Sequence, residues 1–155
     1  MATFGTFTSA VLTAAELNTA GGAWTSYTPT MSTWSLGNGT LTGAYEQVGR
    51  TTMVRISFTA GTTSTMVGWP TFLLPNTSTG SMLAGQVLAV DTSASANYVG
   101  FPAFNGATTI GPVASGTSGA FTFYANTVPF AGAAAWASTD VLRIFAIYEA
   151  STDGT

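Results

Sequence analysis

The sequence predicts an all-β protein built from antiparallel strands, and three observations lead to this. Stretches in which apolar and polar residues alternate recur along the chain, turn-forming residues separate them at short intervals, and no helical pattern of about 10–15 residues lies between them. Such a pattern is typical of a sandwich or a barrel. The 155 residues suffice for one domain with a substantial core. We divide the chain into an N-terminal anchoring arm, residues 1–23, and a β-domain, residues 24–155.

The arm contains a predicted short helix. Thr13 and Glu16 fit a capping box, and the helix is expected to stop before Gly21-Gly22. One or two turns are not stable alone, so the helix must dock, either on its own domain or on a neighbouring subunit. We expect the docking side chains to be the apolar ones of the arm: Phe4, Phe7, Val11, Leu12 and Leu17.

The β-domain begins at Trp24. Thr51–Thr59 alternates between an apolar and a polar face, as a half-buried strand does. Asp140–Glu149 is apolar on both faces except at Arg143, which predicts a strand that is buried or covered by a partner. The other predicted strands are Ala44–Val48, Thr71–Leu74, Met82–Val90, Tyr98–Phe101, Thr108–Val113 and Ala120–Ala125. Predicted turns lie at Gly37–Gly39, Gly49-Arg50, Pro75-Asn76, Asn105-Gly106 and Ser115–Gly119, and Ala131–Ala137 is expected to be a loop.

The charge content restricts function. The chain has three arginines and six carboxylates, a net charge of −3, and no Lys, His or Cys. Ser-His-Asp and Cys-His sites and the usual zinc sites therefore cannot form within it, and we predict a non-enzymatic protein without cofactor or metal. Three isolated arginines predict no nucleic-acid binding, and no apolar run approaches the ~18 residues of a membrane span. With 46% hydrophobic residues, the chain is expected to oligomerise.

Three further arrangements are weaker candidates for chemistry. Carboxylates at Glu46, Asp91, Asp140 and Glu149 have the residue type of a glycosidase pair, but no spacing that brings two together. The segment 91–97 places oxygen-bearing side chains at alternate positions but lacks the Gly and the bidentate Glu of a calcium loop. Trp34 and Trp69 are candidates for a ligand platform on which a sugar ring stacks, the alternative being that they fill the core or an interface.

Several short segments together resemble a module of bacteriophage virion proteins, namely small minor tail proteins and capsid-surface proteins of phages of Gram-positive hosts. The segments, in order, are FTSAVLTAAELN (7–18), WTSYTPT (24–30), GNGTLTGAY (37–45), VGRT (48–51), RISF (55–58), Leu74-Pro75 and DVLRIFAIYEA (140–150). The resemblance covers most of the chain and is least in 84–125. Related strands after the Gly-Arg turn often carry Lys, which is missing here.

The resemblance implies a jelly-roll-like antiparallel β-sandwich, displayed on a virion as a homotrimer. Modules of this kind occur on tails and on capsids. We expect capsid decoration (cement) on the major capsid protein, because a compact chain of 155 residues without a coiled-coil or collagen-like shaft suits that role. The alternative is a minor tail or tail-fibre protein that binds host cell-wall carbohydrate. Burial of apolar surface around a three-fold axis would agree with the low charge content, because it covers strand edges that otherwise promote aggregation.

Overall fold

A computed structural model describes residues 23–115, 121–123 and 136–153, and within them the chain forms ten β-strands and no helix. The strands are β1 (Thr25–Tyr27), β2 (Met31–Ser35), β3 (Thr40–Val48), β4 (Thr51–Thr59), β5 (Thr65–Leu73), β6 (Ser78–Asp91), β7 (Ala96–Phe104), β8 (Thr109–Ser115), β9 (Phe121–Phe123) and β10 (Val141–Ala150). All pairings among them are antiparallel, so the predicted all-β antiparallel fold is confirmed. No helix able to cross a membrane occurs in these residues.

The two layers are the halves of one curled sheet, with strand order β1-β3-β4-β10-β6-β7-β8-β5-β2 and β9 beside β8. Strand β7 belongs to both halves: Ala96–Gly100 pairs with β6, and Phe101–Phe104 pairs with β8. The sheet therefore turns at β7 and brings its two halves face to face. Ring contacts join them, since the Trp34 and Phe58 rings lie 5.3 Å apart and the Phe104 and Tyr148 rings 6.4 Å apart.

The last strand is central. Strand β10 lies between β4 and β6 and pairs with both over most of its length. Strands β3 and β4 form a hairpin whose two-residue turn is Gly49-Arg50, as predicted, with Gly49 at φ +56°. A Gly at the first turn position takes the positive φ that such a hairpin turn requires without steric cost.

The core lies between the two halves and follows the period-two pattern of the strands. The buried apolar residues of this core are Trp34, Val54, Ile56, Phe58, Ala60, Phe72, Leu74, Val87, Ala89, Ile110, Leu142, Ile144, Ala146, Tyr148 and Ala150. In β4 and β10 every second side chain from Thr52 and from Leu142 is buried. Fully burying one such aliphatic or aromatic side chain contributes about 1.5–3 kcal/mol, so this alternation supplies the main drive for folding.

The structure adds strands that the sequence pattern missed. Strand β2 was not predicted, and β5 begins at Thr65 instead of Thr71. Gly68 and Pro70 obscured β5, because both residues weaken a strand interior. They are tolerated because the β2–β5 register shifts there and leaves them outside the regular pairing. The predicted helix of the arm, residues 116–119 and most of the predicted loop 131–137 lie outside the described residues.

Candidate functional site

The surface of the sheet that points away from the core is the candidate site, and we call it the outer face. It is formed by β1, β3, β4, β10, β6 and the first half of β7. The register sets its residues in rows across the strands. One row reads Thr42, Ser57, Arg143, Leu88 and Val99, and the next reads Ser26, Ala44, Arg55, Phe145 and Gln86. Polar, cationic and apolar side chains therefore alternate across one surface.

A groove of about 560 Å³ lies on the outer face. Its lining residues are Ser26, Thr42, Gly43, Ala44, Arg55, Ile56, Ser57, Gln86, Leu88, Arg143, Ile144 and Phe145. The volume falls within the range of about 300–1,000 Å³ that is usual for small-molecule sites. Apolar surface, hydroxyl groups, one amide and two guanidinium groups meet in it, which is a composition suited to binding.

Two arginines face this groove from neighbouring strands. Arg55 of β4 is directly opposite Phe145 of β10, while Arg143 of β10 is directly opposite Ser57 of β4. The two arginines are therefore diagonal neighbours on the same face, and both line the groove. The Arg55 guanidinium carbon lies 4.6 Å from the centre of the Trp24 ring, so the indole holds that side chain in place.

The third arginine is at the far end of the face and is neutralised. Arg50 Nη2 lies 3.2 Å from Glu149 Oε1, and Arg50 Nε donates a hydrogen bond of 3.0 Å to the Ala150 carbonyl. In the part of the chain that the structure describes, neither Arg55 nor Arg143 forms an ion pair. The cationic charge of the groove is therefore uncompensated within these residues.

The four carboxylates considered for catalysis do not converge. Glu46 lies on the outer face opposite Met53, and Glu149 pairs with Arg50. Asp140 is buried, and its carboxylate accepts 2.8 Å hydrogen bonds from the amides of Thr92 and Ala137.

Asp91 closes the turn between β6 and β7. Its Oδ1 accepts bonds from the Ser93 hydroxyl and the Ala94 amide, which is a turn arrangement. The segment considered as a calcium loop therefore has a turn at its start, and no cluster of three metal-ligating side chains occurs in 23–115, 121–123 or 136–153.

The structure corrects the hypothesis of a ligand platform at Trp34. Its side chain is 7% exposed and packs against Phe58 and Trp136, and its indole N–H donates a 3.0 Å hydrogen bond to the Gly68 carbonyl. No ring face is left for a sugar, because the β2 register turns Trp34 into the core.

Trp69 is fixed by its own half of the sheet. It is partly buried and packs against the core, and its indole N–H donates a 2.6 Å hydrogen bond to the Pro112 carbonyl. The ring lies directly over Gly111, where an added Cβ would approach it to 2.6 Å. The alternative interpretation, that Trp34 and Trp69 fill the core, is the one that these contacts favour.

Two exposed aromatic side chains lie on the outer face, and one of them, Phe145, is a residue that the sequence did not single out. Trp24 is 39% exposed and Phe145 41% exposed. The sequence pattern could have identified Phe145, because it lies two residues after Arg143 and therefore on the same face of the strand. The arm residues named for docking, Phe4, Phe7, Val11, Leu12 and Leu17, lie outside the described residues.

Comparisons with protein-family models, with curated proteins and with solved structures found no match.

Proposed function

We propose that this protein is a non-enzymatic structural protein of a bacteriophage particle, displayed on the capsid surface as a decoration (cement) protein. It forms a homotrimer, is assembled in the host cytoplasm and resides in the virion. Its partners are its own copies and the major capsid protein. It uses no cofactor, binds no nucleic acid and does not insert into a membrane.

The observation that carries this proposal is the apolar character of the outer face. Val141, Phe145 and Ile147 of β10 point outward, although β10 is the central strand and its opposite face already fills the core. A sheet with one solvated face normally alternates apolar inside with polar outside. The second apolar face is accounted for if another subunit or the capsid covers part of it.

Further apolar side chains of this face are exposed in strands β6 and β7. Val99 of β7 is 57% exposed and Met82 of β6 is 67% exposed. Only 6% of the residues are charged, so charge repulsion gives little protection from self-association. We infer that the subunits of the trimer meet at the β7 end of the outer face, around Val99.

The native mass of the purified protein tests the trimer, with a mass about three times the 15.8 kDa of one chain as the expected value. A matched pair of variants locates the contact. Val99→Glu should dissociate the trimer, while Val67→Glu, at a site 64% exposed on the other half of the sheet, should leave it intact. A monomeric wild-type protein would contradict the trimer, and the reverse result for the pair would place the contact on the other half.

Immunogold electron microscopy of virions, with antibodies against the purified protein, tests the location. Label distributed over the capsid is the expected result, and label confined to the tail would instead support the tail alternative. Virions without label would contradict both. A variant lacking residues 1–22 should lose attachment while keeping the mass of the trimer, because the arm is proposed to anchor a β-domain that folds on its own core.

The exposed aromatics favour a second candidate, a minor tail or tail-fibre protein that binds host cell-wall carbohydrate. Trp24 and Phe145 present ring surface to solvent on the outer face, and the apolar side of a sugar packs on such rings. Binding of the protein to isolated cell walls, lost in Trp24→Ala and retained in Val67→Ala, would support this candidate. Equal binding by both variants would argue against a role for the outer face.

A further inference from the structure

We propose that the groove of the outer face binds a saccharide unit that carries a carboxylate or a phosphate. The anionic group lies between Arg55 and Arg143, and the sugar ring packs on Phe145. This inference concerns the groove alone and applies equally to a protein on the head or on the tail of a particle.

The placement of positive charge is the first step. The whole chain has three cationic side chains, and two of them occupy diagonal positions on neighbouring strands of one face. Both side chains line the same groove. Guanidinium groups match carboxylate and phosphate oxygens in pairs of hydrogen bonds, so a groove with two of them suits an anionic ligand.

Among the described residues, no carboxylate forms an ion pair with either arginine of the groove. Glu46 is the nearest carboxylate by register, two residues beyond Ala44, the residue opposite Arg55, and it makes no ion pair in the described residues. Strand β6 contributes the uncharged Gln86 and Leu88 to the lining. Arg50, by contrast, has its own carboxylate partner in Glu149. The groove thus combines two cations with no anion in contact among the residues described.

The remaining lining favours a sugar. Hydroxyl groups of Ser26, Thr42 and Ser57 and the amide of Gln86 offer donors and acceptors to sugar hydroxyls. Phe145 offers a ring that is 41% exposed. Trp24, stacked on Arg55, restrains that guanidinium at the groove. Two cations, one aromatic surface and several neutral polar groups fit a ligand that is partly apolar, rich in hydroxyls and anionic.

The position of the groove argues against the two other anionic classes. Nucleic acid requires a row of cations along its phosphates, and the groove has two. A peptide that binds by strand addition needs a sheet edge, where free backbone groups pair with it. Strands β4 and β10 are interior strands whose backbone groups already pair on both sides, so the groove offers side chains alone.

The arginine side chains provide their own reporter. With three arginines in the chain, the Nε–Hε region of a ¹⁵N NMR spectrum contains three arginine signals, which Arg→Gln variants assign. Glucuronate and glucose 6-phosphate are the anionic probes, and glucose, inorganic phosphate and a tetra-aspartate peptide are the comparisons. The full-length protein is titrated with each. We expect both anionic sugars to shift the Arg55 and Arg143 signals and to leave the Arg50 signal in place.

The variants separate the parts of the site. Arg143→Gln and Arg55→Gln should each weaken binding of glucuronate at least tenfold, and Arg50→Gln should leave it unchanged. Phe145→Leu keeps an apolar side chain but removes the ring, so it should weaken glucuronate binding and leave phosphate binding unchanged. The backbone spectrum of each variant shows whether it is folded.

Three results would overturn the proposal. Inorganic phosphate that binds as tightly as glucose 6-phosphate would reduce the site to an anion site without sugar recognition. Tighter binding of the tetra-aspartate peptide would assign the groove to an acidic protein segment. If neither sugar shifts the Arg55 and Arg143 signals, the groove does not bind anionic sugars and the proposal is wrong. None of these results bears on the native mass or the immunogold pattern, so the proposed function fails or stands separately.

Discussion

The guanidinium carbon of Arg55 lies 4.6 Å from the centre of the Trp24 ring. Trp24 immediately precedes β1, so this contact links the start of β1 to β4, across the intervening strand β3. An exposed cation–π pair stabilises by about 0.5–1 kcal/mol, which is small for folding. Its consequence is positional, because the indole limits the directions in which the Arg55 side chain can point across the outer face.

Replacement of the two tryptophans should give unequal losses of stability. Trp34→Ala removes a buried side chain and its hydrogen bond to Gly68, so we expect a loss of about 3–5 kcal/mol in the free energy of unfolding. Trp24→Ala, which removes a half-exposed ring, should cost no more than about 1 kcal/mol. Urea unfolding followed by circular dichroism measures both. Similar losses would contradict the burial of Trp34.

Gly85 should be intolerant of any side chain. A Cβ added there would overlap the Phe145 carbonyl oxygen and lie 2.8 Å from the Ala146 Cα, both on the neighbouring strand β10. Gly85→Ala must therefore push β6 away from β10, and we expect a loss of more than about 3 kcal/mol. Gly106→Ala is the control, because it also has a positive φ, +75°, but open space around it. Its cost should be about 1–2 kcal/mol, the strain of a non-glycine residue in that conformation. Denaturant unfolding measures both losses. Equal losses for the two variants would contradict the prediction.

Asp140 should be a structural carboxylate. Its two oxygens accept hydrogen bonds from the amides of Thr92 and Ala137, and the side chain is buried. Asp140→Ala leaves both amides without this acceptor, so we expect a loss of about 2–4 kcal/mol. Asp140→Asn keeps one acceptor oxygen and should fall between wild type and Ala. Asp153→Asn, at an exposed position, should change stability by less than about 0.5 kcal/mol. Thermal unfolding of the three variants ranks them, and a neutral Asp140→Ala would refute the role.

Stability should fall in alkaline solution through tyrosine ionisation. Burial raises the pKa of Tyr148 from 10.0 to about 12, and burial also raises the pKa of Tyr27. Above pH 10 the unfolded chain loses phenolic protons that the folded chain keeps, so stability is complete below pH 10 and declines as the pH rises towards 12. The chain has no Lys, His or Cys to titrate between the carboxylates and the tyrosines.

Absorbance at 295 nm and unfolding midpoints measured from pH 7 to pH 12 test this prediction. Tyr148→Phe should reduce the alkaline loss. It should also lower stability at pH 7 by about 1 kcal/mol, because the phenol donates a 3.0 Å hydrogen bond to the Asn76 carbonyl. An alkaline profile identical to that of the wild type would mean that Tyr148 ionises as easily in the folded state as in the unfolded state.

Predictions that rest on local alternation agree with the structure. The pattern of Thr51–Thr59 predicts one buried face, and the structure buries Val54, Ile56 and Phe58. The pattern of the last strand predicts Arg143 at an outward position, and Arg143 is exposed there. The Gly49-Arg50 turn was also predictable, because a two-residue hairpin turn depends on backbone conformations that Gly adopts easily.

Predictions that needed contacts between distant residues did not follow from the pattern. Trp34 is in an unrecognised strand, so nothing local showed that its ring turns inward to meet Phe58. The groove depends on β4 and β10 being neighbours, with Arg55 opposite Phe145. Each arginine by itself is an ordinary outward-facing residue of a strand. The cationic groove forms only because the β4–β10 register brings both arginines to neighbouring positions on one face.

The alternation along the chain is enough to predict an all-β protein and, for the regular strands, which side chains share a face. These properties are local, since alternation along a strand and the conformational freedom of turn residues need no distant partner. The order and register of the strands emerge only from the folded structure. Backbone hydrogen bonds are nearly alike at every residue, so the pairing of β10 between β4 and β6 depends on packing of the whole core, and that pairing places the arginines together.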